Sequence, residues 1–142
     1  MKKIPAIKSV MTPSPLSVAI EEPVGVAEDM MIDHGIRHLL VTQSEKLVGL
    51  VSDRDIAFTS NSPESDLGDR LHIRDVCSLE VYAVQPNEPL DLVLREMADR
   101  RIGSAVVTEK GKVVGVFTAT DACRCFADFL ESHFPRAKSD SS

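Results

Sequence analysis

An internal repeat limits how this chain can fold more than any other feature of its sequence. Residues 49–55 recur as residues 115–121, which is 66 positions further along (49 to 115). The same offset carries residues 7–10 onto 73–76, and no gap is needed anywhere between residues 7 and 57. A register kept over that length indicates that one unit has been duplicated.

Each copy shows the same succession of hydrophobic patterns. An extended piece precedes a helix that starts behind a proline, and two strands joined by a polar turn lead into a second helix, near Asp53 and near Ala119. Glu22-Pro23 and Glu88-Pro89 mark the start of the first helix in the two copies. The remaining pieces are expected at 16–20, 39–42 and 47–51, and at 82–85, 105–108 and 113–117.

The repeat predicts an α/β chain of the α+β type, built from two tandem β-α-β-β-α units. Because a unit this small buries little surface alone, we expect the copies to pack sheet to sheet about a pseudo-twofold axis. The expected divisions are residues 1–58 for the first repeat (core from about residue 7), 59–72 for a polar linker, 73–134 for the second repeat with an extended C-terminal helix, and 135–142 for a disordered tail.

The ends of the first helix differ between the copies. Gly35 follows the helix in the first copy and suits a left-handed cap. Arg101 follows it in the second copy, so that end needs a more costly left-handed residue or another geometry.

Composition narrows the function classes. A net charge of −6 argues against general nucleic-acid binding, which needs a basic surface. The first residues carry two lysines with no apolar stretch behind them, so we expect neither a signal peptide nor a membrane span, and a cytoplasmic location. Cys77, Cys123 and Cys125 suggest reduced thiols rather than a disulfide framework.

No catalytic motif is recognisable in the sequence. Phosphate-binding loops, nucleophile elbows and zinc-helix patterns are missing, and Gly35 breaks any helix that would join His34 to His38. We therefore expect no enzyme, no catalytic residue, no metal site and no required cofactor.

The strand-to-helix turn is the segment with the clearest chemistry. Ser52 and Asp55 stand three apart at a helix start, and Thr118 and Asp121 repeat that spacing. The spacing is that of a capping box, which stabilises helices without binding anything. The same geometry suits a ligand, because a helix start favours a phosphate and a carboxylate one turn in accepts the hydroxyls of a ribose. Both interpretations stay open from the residues alone.

Across residues 7–130 the two copies, with the motifs GLVSDRD and GVFTATD, resemble a tandem CBS-domain pair (Bateman module) of the stand-alone bacterial type. The resemblance implies a regulatory module that binds an adenine nucleotide or related ligand (AMP, ADP, ATP, possibly S-adenosylmethionine or NAD) in the cleft between the repeats. It also implies a homodimer and a separate effector protein, with no nucleic-acid or membrane partner.

The resemblance places candidate ligand contacts in both copies. Ser52, Asp55, Thr118 and Asp121 would contact ribose or phosphate, and Arg37 and Arg54 would neutralise phosphate at the first turn. The base would lie near Val18, Ile36, His38, Val84 and Ile102.

Two other classes of function remain. The turns could be caps only, in a dimeric interaction scaffold that uses the apolar face of the last helix, which carries Phe126, Phe129, Leu130 and Phe134. An enzyme with an unrecognised site is the third class, and turnover of bound nucleotide would reveal it.

Overall fold

A computed structural model describes residues 3–13, 15–60 and 71–136. In chain order its elements are a 3-10 turn Ile7–Ser9, β1 Thr12–Pro13, β2 Ser17–Ala19, α1 Val24–His34, β3 His38–Gln43, β4 Lys46–Ser52, α2 Asp53–Ser60, α3 Ile73–Val76, β5 Ala83–Val84, α4 Leu90–Arg100, β6 Ser104–Glu109, β7 Lys112–Thr118 and α5 Ala119–His133. The β-α-β-β-α order and the mixed α/β class are confirmed in both copies. The 3-10 turn, β1 and α3 were not expected.

The chain forms two compact units. The first unit is Pro15–Val81, and the second unit combines Met1–Ser14 with Tyr82–Ser142. This division differs from that of the sequence repeat, because the first 14 residues group with the second copy.

The first unit has a three-stranded sheet in the order β2-β3-β4. Strands β2 and β3 run parallel, and β3 and β4 form an antiparallel hairpin. Helix α1 turns its buried stripe towards this sheet, as the 3.6-residue spacing of its apolar residues requires. The core consists of Val18, Val24, Ala27, Met31, Leu39, Val41, Val51, Ile56 and Ile73.

The second unit has a four-stranded sheet in the order β1-β7-β6-β5. Strands β5 and β6 are parallel and β6 and β7 antiparallel, as in the first unit. Strand β1 extends the sheet by pairing antiparallel with β7. The core consists of Ile7, Val84, Leu90, Val93, Met97, Ala105, Val107 and Phe117.

In the second unit, an N-terminal arm (residues 3–13) completes the second copy. The Ile7 amide donates to the Glu88 carbonyl at 2.9 Å, and the Leu90 amide donates to the Pro5 carbonyl at 2.9 Å. The second bond satisfies an amide at the start of α4, which has no partner within its own helix.

In the first unit, residues 71–79 hold the corresponding place. The Ile73 amide donates to the Glu22 carbonyl at 2.9 Å, and the Val24 amide donates to the Leu71 carbonyl at 3.0 Å. Ser78 forms an isolated antiparallel bridge with Leu50 on β4. Each copy is thus completed by the segment that precedes the other copy in the sequence.

Gly49 and Gly115 make room for these segments. A Cβ at Gly49 would collide with the Ser78 carbonyl oxygen, and one at Gly115 would collide with Met11 and lie 3.0 Å from the Thr12 oxygen. An added chain segment therefore approaches the strand closely at both glycines.

The caps of α1 and α4 both use the left-handed region. Gly35 has φ 63° and Arg101 has φ 55°. Of the two alternatives left open for the second copy, the structure has the more costly left-handed residue.

The expected linker and tail fall mostly on residues outside the described ranges. Helix α2 runs to Ser60, and Leu71 and His72 lead directly into α3, so both ends of the expected linker at 59–72 carry structure. Of the expected tail, residues 135 and 136 are described and exposed.

Candidate ligand-binding turns

The first turn joins β4 to α2 and is closed by two reciprocal hydrogen bonds. The Asp55 amide donates to Ser52 Oγ at 3.1 Å, and the Ser52 amide donates to Asp55 Oδ2 at 2.9 Å. Both residues are half-buried. This is the capping box that the spacing predicted.

The second turn joins β7 to α5 and repeats that arrangement. The Thr118 amide donates to Asp121 Oδ2 at 2.9 Å, and the Asp121 amide donates to Thr118 Oγ1 at 3.3 Å. In addition, the Thr118 hydroxyl donates to Asp121 Oδ2 at 3.1 Å. The single hydroxyl proton of Thr118 is therefore already used in a hydrogen bond within the turn.

Each turn lies beside the start of the preceding strand. The Asp53 amide donates to the Arg37 carbonyl at 2.9 Å, and the Ala119 amide donates to the Gly103 carbonyl at 2.9 Å. His38, the first residue of β3, stands opposite Ser52 in the sheet register. The structure thus brings together the candidate residues Arg37, His38, Ser52 and Asp55.

Few amides at the helix starts remain available to an anion. In the first turn the amides of Ser52, Asp53 and Asp55 are already bonded, as described above. Among the described residues, the Arg54 amide in the first turn and the Thr120 amide in the second have no hydrogen-bond partner. One amide per turn cannot cradle a phosphate by itself, so any phosphate would depend on side-chain cations as well.

The cations differ between the two turns. Arg37 and Arg54 are exposed beside the first turn. At the second turn, Arg124 Nη1 lies 3.4 Å from Asp121 Oδ1. Sequence reasoning missed Arg124, although its spacing of three residues from Asp121 on one helix favours such a pair. The first copy has Phe58 at the matching position.

The residues expected near the base are placed unequally. The side chains of Val18 and Val84 lie in the two cores, so only their backbone could contact a ligand. Ile36 and Ile102 are half-buried between helix and strand, and their amides donate to the last turn of α1 and of α4 at 3.0 Å.

Tyr82 and Arg100 form a contact that the sequence did not suggest. The Arg100 guanidinium lies 5.1 Å from the centre of the Tyr82 ring and 3.8 Å from the Glu96 carboxylate. Burial raises the pKa of the Tyr82 hydroxyl, and Glu96 and Glu88 raise it further. Arg100 is therefore held in place beside β5 by an aromatic ring and a carboxylate.

The thiols are free, and two of them are shielded. Cys77, Cys123 and Cys125 form no disulfide, and burial raises the pKa of Cys77 and of Cys125. Within the described ranges, no three His, Cys, Asp or Glu side chains are grouped to hold a metal ion. No helix in that part of the chain combines the length and apolar character that a membrane span needs.

A comparison with known protein families matches the CBS domain twice, over residues 7–60 and 73–128. The chain belongs to the CBS domain family, and the expected tandem pair is confirmed. The strand-to-helix turns described above fall inside the two matched segments, one in each.

Similar proteins include both enzymes and CBS-domain proteins. Inosine-5'-monophosphate dehydrogenase of Korarchaeum cryptofilum is 33% identical over 128 residues, which cover 89% of this chain and 23% of that enzyme. The CBS domain-containing protein YhcV of Bacillus subtilis is 24% identical over 82% of this chain and 81% of its own length. The chain spans only between 22% and 26% of the enzymes that it matches, so the likeness concerns their CBS segments.

Ligands are bound in at least two of the similar structures. The CBS domain pair of protein MJ0100, in complex with 5'-methylthioadenosine and S-adenosyl-L-methionine, is 25% identical with a TM-score of 0.76. The match covers 89% of this chain and 99% of that one.

Proposed function

We propose that this chain is a regulatory module that binds an adenosine-containing ligand at its strand-to-helix turns and thereby changes its contact with a separate effector protein. The carrying observation is the half-buried Ser/Thr-x-x-Asp turn, built twice with the same hydrogen bonds. Support comes from the CBS family and from the adenosyl ligands bound to the similar domain pair of MJ0100. The ligand acts as a signal, and the module needs no cofactor.

The chemistry of each turn suits a nucleoside. An aspartate in the first helical turn can accept hydrogen bonds from both hydroxyls of a ribose, as acidic residues do in dinucleotide folds. Serine has one hydroxyl proton, and among the residues that the structure describes Ser52 Oγ uses only an acceptor position. That proton remains available to a ribose or phosphate oxygen.

Of the two turns, the first is the better site for a phosphorylated ligand. Arg37 and Arg54 add positive charge beside Ser52, whereas the second turn has Ala119 and Thr120 in its loop. There, Thr118 already donates to Asp121, and Arg124 already pairs with the same carboxylate. A ribose at the second turn must displace one of these contacts.

Thermal unfolding of ligand-stripped protein tests the proposal. A ligand at a hundred times its dissociation constant stabilises a protein by about 2.7 kcal/mol, which raises the midpoint of a domain of this size by roughly 5–15 °C. AMP, ADP, ATP, S-adenosylmethionine and NAD are the ligands to compare. We expect the shift to be strongly reduced in Asp55→Ala, where only the second turn can bind, and to persist in Asp121→Ala.

Asp53→Ala is the matched control, since Asp53 lies in the same helical turn but is exposed and outside the capping box. Both Asp55→Ala and Asp121→Ala lose about 1 kcal/mol of stability with their caps, so each variant is compared with its own ligand-free midpoint. The absence of a shift with every ligand would show that the turns are caps only.

The exposed apolar face of α5 favours a second candidate function, a dimeric interaction scaffold without a small-molecule ligand. Phe126, Phe129 and Phe134 are each at least half exposed. Such a face is usually covered by a partner. If this second candidate function is correct, the five ligands leave the midpoint of thermal unfolding unchanged, and removal of the apolar face of α5 abolishes self-association.

A further inference from the structure

Helix α5 is held less firmly by its own unit than α2 is held by the first unit. None of the 15 residues of α5 is fully buried, and its half-buried residues are Asp121, Ala122 and Cys125. The sequence repeat places Ala122 at the position of Ile56 on α2, 66 residues earlier (56 to 122). Ile56 is 3% exposed in the core of the first unit, whereas Ala122 is half-buried against the core of the second. A helix with so few buried apolar contacts opens locally at low cost.

The Asp121 carboxylate holds the start of α5 with both of its oxygens. Oδ2 accepts hydrogen bonds from the Thr118 amide at 2.9 Å and from the Thr118 hydroxyl at 3.1 Å. Oδ1 accepts a hydrogen bond from Arg124 Nη1 at 3.4 Å. Together these bonds connect the last residue of β7 with the first two turns of α5.

A ribose at the second turn needs the same two oxygens. A carboxylate offers about four acceptor positions, and three of those on Asp121 are already in use. Two ribose hydroxyls therefore displace at least one existing bond. The bond from Arg124 breaks first, because it is the longest of the three and the arginine side chain is 68% exposed. By linkage, a contact that weakens ligand binding by some factor is weakened by the ligand by the same factor.

Helix α2 of the first unit differs in both respects. Phe58 stands at the position that matches Arg124, so this helix has no basic side chain there for a ribose to displace. Ile56 is buried in the core of the first unit and anchors the helix independently of the turn. A ligand at the first turn therefore leaves α2 in place.

We propose that α5 transmits the ligand signal: a ribose bound at the second turn displaces Arg124 from Asp121 and loosens the start of α5, which changes how this helix contacts the effector protein. The proposal rests on the function proposed above and gives the two turns different roles. Ligand at the first turn leaves its helix anchored, whereas ligand at the second turn is reported through α5. Phe126 and Phe129 are exposed on the part of the helix that this loosening moves.

Amide hydrogen exchange of the full chain, followed by mass spectrometry, tests the proposal. Adenosine is the probe, since its adenine and ribose are common to all five ligands and it carries no phosphate. In Asp55→Ala, where only the second turn can bind, saturating adenosine should speed amide exchange in α5 about two- to fivefold. In Asp121→Ala, where only the first turn can bind, AMP should leave exchange in α2 unchanged or slower.

Arg124→Ala tests the route of the signal, and Arg95→Ala, at an exposed arginine on α4, is its matched control. Combined with Asp55→Ala, Arg124→Ala should give fast exchange in α5 without adenosine and no further increase with it. Arg95→Ala should keep the full response to adenosine. If Asp55→Ala does not fold, the same two variants are compared in the wild-type background, where the expected results are the same.

Thermal unfolding of the same samples separates this inference from the proposed function. A midpoint shift with adenosine in Asp55→Ala, together with unchanged or slower exchange in α5, would overturn the inference and leave the proposed function standing. A shift in the wild type that Asp55→Ala abolishes would do the same, because the second turn would then bind no ligand. An increase in exchange that persists in Arg124→Ala would also overturn the inference. The absence of a shift with adenosine and all five ligands would overturn both.

Discussion

The two strand-to-helix turns have the same backbone design and different surroundings. In both, a hydroxyl and a carboxylate three residues apart exchange hydrogen bonds across the start of a helix. The first turn keeps the Ser52 proton for an outside acceptor and has two arginines beside it. The second directs the Thr118 proton and the Arg124 guanidinium at its own aspartate.

A duplicated motif therefore need not mean a duplicated activity. The capping bonds maintain the helix start whether or not a ligand is bound, so they constrain the serine or threonine and the aspartate in both copies. Their neighbours are outside that constraint. Residues such as Arg54 and Arg124 can then make one turn a site and leave the other a cap.

The largest loss of stability is expected at the two glycines that contact the N-terminal arm and residues 71–79, the segments that complete the two copies. A Cβ at Gly49 meets the backbone oxygen of Ser78, which is held by hydrogen bonds with Leu50 on β4, whereas the nearest atoms at Gly115 belong to the flexible Met11 side chain. Gly49→Ala should therefore lower the free energy of unfolding by about 3 kcal/mol and Gly115→Ala by about 1 kcal/mol. Urea unfolding measures the free energy of unfolding of both variants. Equal losses would show that the two contacting segments shift equally easily to admit a Cβ.

The C-terminal ends of α1 and α4 give the next largest expected change in stability. Arg101→Gly should stabilise the protein by about 0.5–1 kcal/mol, because glycine adopts positive φ without cost. Gly35→Ala should destabilise it by about 1 kcal/mol for backbone reasons only, since a Cβ at Gly35 meets nothing within 4 Å. Arg101→Ala serves as the control that removes the charge and keeps the positive φ. A gain of stability in Arg101→Ala as large as that in Arg101→Gly would show that removal of the charge, and not relief of the positive φ, is the cause.

The smallest effect concerns Arg124. Its pair with Asp121 is 68% exposed on the arginine side, so Arg124→Ala should change stability by less than about 1 kcal/mol. In an Asp55→Ala background, where only the second turn can bind, removal of this competitor should raise ligand affinity about two- to fivefold. Calorimetric titration measures it, with Arg95→Ala on α4 as the control. Unchanged or weaker binding would mean that Arg124 does not compete for Asp121.

Local pattern predicted most of the elements and the internal bonds of the turns. Apolar spacing located α1 and α4, and the Ser52–Asp55 and Thr118–Asp121 spacings predicted the capping boxes that the structure contains. What local pattern could not reveal is which copy receives the arm. Residues 7–10 and 73–76 carry the same apolar pattern, so either segment could complete either core, and only pairing between distant parts of the chain decides.

The sequence placed Arg37 and Arg54 at the first turn, but it could not reveal the competitor at the second. The competitor Arg124 lies one helical turn beyond the motif, where a charged residue is most often solvated, and only its 3.4 Å distance from Asp121 gives it a role. Tyr82 and Arg100 are similar, because residues 18 apart meet only once β5 and α4 are in place.

The two completing segments, the N-terminal arm and residues 71–79, also affect the order in which the two units can fold during synthesis. The first unit, Pro15–Val81, lies in one continuous stretch and can fold early in synthesis. The N-terminal arm is made before the first unit, yet its partner β7 ends only at Thr118. The arm must therefore wait until β7 has been made. Nascent chains stalled before residue 112 should show a protease-resistant first unit and a cleavable arm, and a protected arm at that stage would contradict this order.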